Sequence, residues 1–110
     1  MPTAEQGVES AQAVIEWTAD PESWMSEEFN DTHLVFFKPS AETHFLNFLS
    51  FGALELVGSS PATNVTLWHA LLSKFALSEQ DLPLSLVETV VQQLDEAGLI
   101  SPVSLDAQNS

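Results

Sequence analysis

The spacing of apolar residues changes part-way along this chain, and the change divides it into a strand region and a helix region. Thr32 to Phe37 (Thr-His-Leu-Val-Phe-Phe) is rich in β-branched and aromatic residues and is apolar on both faces from Leu34 on, which predicts a strand. Pro39-Ser40-Ala41-Glu42 follows as a turn, where proline presets φ and cannot donate to a ladder. Thr43 to Leu46 is the returning strand. Leu49, Ala53, Leu56 and Val57 then recur at helical spacing and predict a helix from Phe48 to about Val57. Asn47 suits its N-cap, because the side-chain oxygen accepts from the first free N–H groups. Gly58 fits the left-handed position after the helix. Gly52, inside it, costs roughly 1 kcal/mol relative to alanine and implies close packing against a neighbour.

The same reading extends in both directions. Upstream, Trp24 to Phe29 reads as another strand, set between a turn at Asp20-Pro21-Glu22-Ser23 and a turn at Asn30-Asp31. Ala13 to Trp17 reads as a strand or edge segment. Downstream of the Ser59 to Asn64 loop, Val65, Trp68, Leu71, Leu72 and Phe75 mark a second helix, Val65 to Phe75. After a break at Ser78 to Pro83, a third helix runs from about Leu84 to Ala97, with Val87, Val90, Val91 and Leu94 as its apolar face. Ser85-Leu86-Val87-Glu88 matches a capping box, and a start at Asp81 to Pro83 is the alternative. Gly98 ends this helix, and Leu99-Ile100 returns to the core.

The expected fold class is therefore α+β and winged-helix-like: a small antiparallel three-stranded sheet followed by three helices. Residues 13–100 form the domain. A flexible acidic N-terminus (1–12) precedes it, and a loose tail (101–110) follows.

Composition narrows the function. The chain has 110 residues, enough for one domain with one modest core, and its 45% hydrophobic content is that of a globular protein. Sixteen acids stand against two lysines, Lys38 and Lys74, for a net charge of -14, and eight of the acids fall in the first 31 residues. Such a charge repels phosphate and anionic lipid over a Debye length of roughly 8 Å. Nucleic-acid binding needs several Lys or Arg to release counterions, so neither nucleic acid nor membrane is an expected partner. A basic or neutral protein surface is the expected one, unless the charge serves only solubility.

The absence of cysteine excludes disulfides, thiolate catalysis and Cys-based zinc sites. No basic-then-apolar leader opens the chain, and no apolar run approaches the ~20 residues of a membrane span, so a cytoplasmic location is expected.

Catalytic chemistry finds little support. His33, His44 and His69 do not pair at the i, i+4 spacing of a helical metal site, and ordinary half-buried histidines are the better reading. There is no Gly-x-Ser-x-Gly elbow and no phosphate-cradling glycine loop with a lysine. Glu27-Glu28 and Asp95-Glu96 are sequence neighbours, which solvated faces explain better than acid–base catalysis. Trp68, at helical spacing, belongs to a core, whereas Trp24 caps the core or lines a groove. No catalytic residue, metal or cofactor is expected.

One site follows from the fold itself. An exposed strand edge offers unpaired N–H and C=O groups to which an extended peptide adds as a new strand. The edge here is Thr43-His44-Phe45-Leu46, and the last helix is the expected second wall, with Val87, Val91 and Leu94. The plainer reading of the same residues is that they close the core.

These residues also carry a family resemblance. Val35-Phe36-Phe37-Lys38-Pro39-Ser40-Ala41-Glu42-Thr43-His44-Phe45-Leu46-Asn47, followed by a helix, and later Leu94-Asp95-Glu96-Ala97-Gly98-Leu99-Ile100, resemble the PqqD-like peptide chaperones, closest to the branch of the HPr-rel-A systems. The resemblance covers about Val14 to Ile100. It implies three strands and three helices in a winged-helix-like arrangement. It also implies a recognition element that binds the leader of a ribosomally made precursor peptide as an added strand and presents it to a modifying enzyme, without catalytic residues or cofactor. Carried over, the peptide strand is Thr43, His44, Phe45 and Leu46, and the groove helix contributes Val87, Val90, Val91 and Leu94. The chain departs from the family in its acidity, which favours a basic or apolar peptide, and in a hairpin turn without the common glycine. Two competitors remain: an assembly subunit that forms a homodimer through its edge strand, and a winged-helix DNA-binding regulator, which the charge opposes.

Overall fold

Two tight turns order the strand region. Asn30 and Asp31 both adopt left-handed backbone angles, φ 51° and 65°. Their short polar side chains tolerate that region, and two such residues in succession give the twist that joins antiparallel strands. Ala41 is also left-handed, at φ 59°, and its N–H donates to Phe37 O at 2.8 Å. The computed structural model describes residues 15–103. The expectations for 1–12 and for the end of the tail lie outside those residues.

In chain order the elements are β1 (Trp17–Thr18), a 3-10 turn (Pro21–Ser23), β2 (Trp24–Phe29), β3 (Thr32–Phe37), β4 (Glu42–Leu46), α1 (Phe48–Ser59), α2 (Asn64–Phe75), α3 (Leu84–Glu96) and β5 (Ser101–Pro102). β2, β3 and β4 form an antiparallel sheet in that order, followed by the three helices, so the fold is α+β. Register places Glu27, Leu34 and Phe45 in one cross-strand row, and Met25, Phe36 and Thr43 in the next. Because side chains alternate along a strand, these residues share one face. The opposite face carries Trp24, Val35, Phe37 and Leu46, which join the core.

The core lies where α1, α2 and α3 meet this inner face. Leu54 and Val57 of α1, Leu67 and Leu71 of α2, and Val87 and Leu94 of α3 are fully buried with Val35. Leu99 and Ile100 fold back into it after Gly98, which takes φ 80° and closes α3. Ser101 and Pro102, expected at the start of a loose tail, instead pair with Thr18 and Trp17. On its other side Trp17 exchanges two backbone hydrogen bonds with Ala62, at 2.8 and 3.0 Å. β1 therefore ties the loop after α1 to the strand after α3.

Each helix departs from the sequence reading in one detail, for a local reason. α1 runs through Gly58 to Ser59, and the Ser60 N–H donates to Leu56 O at 3.2 Å. Gly58 is thus not a left-handed terminator. It makes room for Trp24, whose Cη2 would lie 3.0 Å from a Cβ there. In α2, capped by Thr63, Val65 is exposed and Leu67 takes the core position. The Ser85–Glu88 box does not form, because α3 begins at Leu84 behind Pro83 with no side-chain cap. A reciprocal box forms earlier instead. The Ser78 N–H and hydroxyl donate to Asp81 Oδ2 at 3.1 and 3.0 Å, and the Asp81 N–H donates to Ser78 Oγ at 3.1 Å. It shapes the α2–α3 turn, which Trp68 fastens by donating from Nε1 to Leu82 O at 2.7 Å.

Candidate peptide-binding site

β4 is an edge of the three-stranded sheet, paired with β3 on one side only. In such a strand alternate residues turn their N–H and C=O groups away from the partner, and these groups are open to another strand. Asn47 stops the strand and starts α1, accepting from the Ser50 N–H at 2.8 Å. The edge is therefore short and fixed at one end by a capped helix, and at the other by the Ala41 turn.

The side chains of the edge divide by face. Thr43 and Phe45 lie on the outer face, and Phe45 is 72% exposed. His44 and Leu46 are half-buried on the inner face. His44 Nε2 stands 3.6 Å from Glu42 Oε1, an ionic distance when the ring is protonated but too long for a hydrogen bond. That nitrogen has no hydrogen-bond partner among the described residues.

The expected second wall lies within the helical core. Val87, Val90, Val91 and Leu94 are all buried core residues. α3 packs against α1 and α2, and α1 is the helix that packs against β3 and β4. The apolar stripe of α3 thus faces the core.

Aromatic residues of α1 stand closer to the edge. Phe48, in its first turn, is 53% exposed and meets Phe75 edge-on, with ring centroids 5.0 Å apart. Lys74 Nζ lies 5.8 Å from the Phe75 ring centroid. Phe51 stacks on His33, centroids 4.2 Å apart. Sequence reasoning passed over Phe48, and its signal was available: it falls outside the stripe of Leu49, Ala53, Leu56 and Val57, so it has no place in the core.

The three histidines have separate neighbours: His33 stacks on Phe51, His44 lies beside Glu42, and His69 lies against Trp68. Among the described residues no three His, Asp or Glu side chains converge on a metal position, and no helix is long and apolar enough to cross a membrane. From Trp24 to Leu46 there are four carboxylates, Glu27, Glu28, Asp31 and Glu42, against Lys38 alone. The site is a strand edge in an acidic, aromatic setting. It can pair with main chain and attract positive charge. The chain matches no protein-family model, no curated protein and no solved structure.

Proposed function

We propose that this protein is a non-catalytic peptide-binding module of the cytoplasm, which takes an extended peptide as a further strand along β4. The observation that carries the reading is the position of β4. It ends the sheet, is held in place by Asn47 and α1, and leaves Phe45 exposed beside its open backbone groups. Main-chain pairing supplies affinity without regard to sequence, and side chains beside the edge supply selection. Peptide residues turned outward meet Phe45 and Thr43. Those turned inward meet His44 and Leu46, with the exposed Phe48 at the end of the strand. The carboxylates around the sheet favour a basic or neutral peptide over an acidic one.

The resemblance to PqqD-like chaperones gives this peptide a source. It is the leader part of a ribosomally made precursor, presented to a modifying enzyme. In this chain the contacts beside the strand come from Phe45 and α1, since Val87, Val90, Val91 and Leu94 serve the core.

Peptides encoded beside the gene are the probe, and proline at Thr43 and at His44 is the test. These positions have opposite parity, so one of the two N–H groups points away from β3. Proline at that position leaves the domain folded and removes an outward donor, and peptide affinity falls about tenfold or more. A variant with native circular dichroism at each parity and undiminished affinity overturns the site. Self-association that either proline abolishes assigns the edge to a second copy of the chain.

A further inference from the structure

The outer face of the three-stranded sheet is largely apolar, and among the described residues nothing packs over it. Met25 and Phe29 of β2 are 56% and 62% exposed, and Phe45 of β4 completes the row that runs through Leu34. Between them lies an open concavity of about 460 Å³, lined by Met25, Ser26, Glu27, Leu34, Phe36 and Thr43. A sheet needs one face for its core, and Val35, Trp24, Phe37 and Leu46 supply that on the other side. The large side chains of the outer face are therefore not required by the fold. A contiguous apolar face of this kind on a strongly charged protein marks an interaction surface.

Charge decides the occupant. Glu27 sits within the concavity, and among the described residues the sole ion pair is His44 with Glu42, so none of them supplies Glu27 with a cation. A second copy would bring a net charge of -14 against -14 and set like carboxylates together. The chain's own N-terminal segment brings Glu5 and Glu9 and no lysine or arginine. Anionic lipid is repelled in the same way. A basic amphipathic protein segment suits the face. Its apolar side chains cover Met25, Leu34 and Phe36, and a lysine or arginine at its centre meets Glu27.

We infer that the outer face of β2–β3–β4 is a docking surface for a basic amphipathic segment of a partner protein, with Glu27 as its charge contact. This surface borders the β4 edge and shares Thr43 and Phe45 with it, but its centre lies on Met25, Glu27, Leu34 and Phe36, away from the backbone groups of the edge. The arrangement suits a module that brings two molecules together, and the docking itself does not depend on the edge being occupied.

The test uses the full chain and two synthetic peptides, one alternating leucine and lysine, the other alternating leucine and glutamate, followed by amide and methyl NMR. The lysine peptide shifts Met25, Leu34 and Phe36, and the glutamate peptide does not bind. Glu27→Gln weakens binding by about two- to fivefold, as expected of one exposed charge pair. Glu88→Gln, which removes the same charge from α3, leaves it unchanged. Met25→Ser weakens binding by about fivefold or more. His44→Pro, on the inner face, retains it where the variant is folded. Equal effects of Glu27→Gln and Glu88→Gln, shifts confined to other surfaces, or no effect of Met25→Ser overturn the proposal. So does a dimer, seen by light scattering, that Met25→Ser dissociates.

Discussion

The ring of Phe75 occupies the space beside Gly52: a Cβ on residue 52 would meet Phe75 Cζ at 2.8 Å. This contact seats α2 on α1 and places Phe75 where Phe48 meets it edge-on. The glycine is thus explained by packing, against its cost in helix propensity. Gly52→Ala gains about 1 kcal/mol of propensity but forces an overpacking cost of about 1–3 kcal/mol. The expected net result is a loss of about 1 kcal/mol in urea unfolding. Phe75→Leu in the same background relieves the clash, so the double variant is more stable than the sum of the two single changes. Simple additivity would contradict the contact.

Trp68 closes the α2–α3 turn through its indole. Trp68→Phe keeps most of the apolar volume but leaves the Leu82 carbonyl, on a buried residue, without its 2.7 Å donor. A loss of about 1–3 kcal/mol is expected in chemical denaturation. An unchanged midpoint would show that the bond contributes nothing.

The same turn carries an acid-sensitive element. Asp81 is held below its ordinary 3.8, first by the backbone N–H of Ser78 and then by the Ser78 hydroxyl. A carboxyl whose pKa is depressed on folding stabilises the fold above its unfolded value, and that contribution is lost as pH falls through the folded value. Asp81→Asn does not titrate. Wild-type stability, measured from pH 6 down to about 2, is therefore expected to fall more steeply below 3.8 than that of Asp81→Asn. Parallel curves would contradict the assignment.

Two alanines sit where glycine is favoured. Ala41, in the β3–β4 turn, and Ala76, at the end of α2, have φ 59° and 55°. An L-residue pays about 1–2 kcal/mol there, and glycine returns about 0.4–1 kcal/mol of this through its freer unfolded chain. Ala41→Gly and Ala76→Gly are each expected to stabilise the domain by about 0.5–1 kcal/mol, and together additively. Destabilisation by Ala41→Gly would mean that the turn needs its methyl group.

The elements were legible wherever local chemistry and tertiary packing agree. β2 and β3 were bounded correctly because Asn30-Asp31 can hold only a turn between two runs of strand-forming residues, and Asn47 named its own helix. Ser85–Glu88 misled, because a box pattern is local whereas the start of α3 depends on Pro83. Gly58 misled for a related reason: a glycine that makes room for an indole looks in sequence like one that ends a helix. The site was legible only in part. The edge followed from strand order, which the hairpin turns dictate. The role of α3 is not readable from its pattern, because Val87, Val90, Val91 and Leu94 give the same helical spacing whether they face a core or a groove. The outer sheet face was hidden by the alternation of β2, where Glu27 interrupts Met25 and Phe29 and makes the strand read as polar.

The central claim is that β4 pairs with a peptide through its main chain, and hydrogen exchange of the backbone amides tests it most directly. Adding a neighbouring precursor peptide should slow exchange at alternate residues of Glu42–Leu46, those facing away from β3, and leave the β2 edge, Trp24–Phe29, unchanged. Peptide binding with no new protection in β4, or protection gained along β2 instead, would contradict the account.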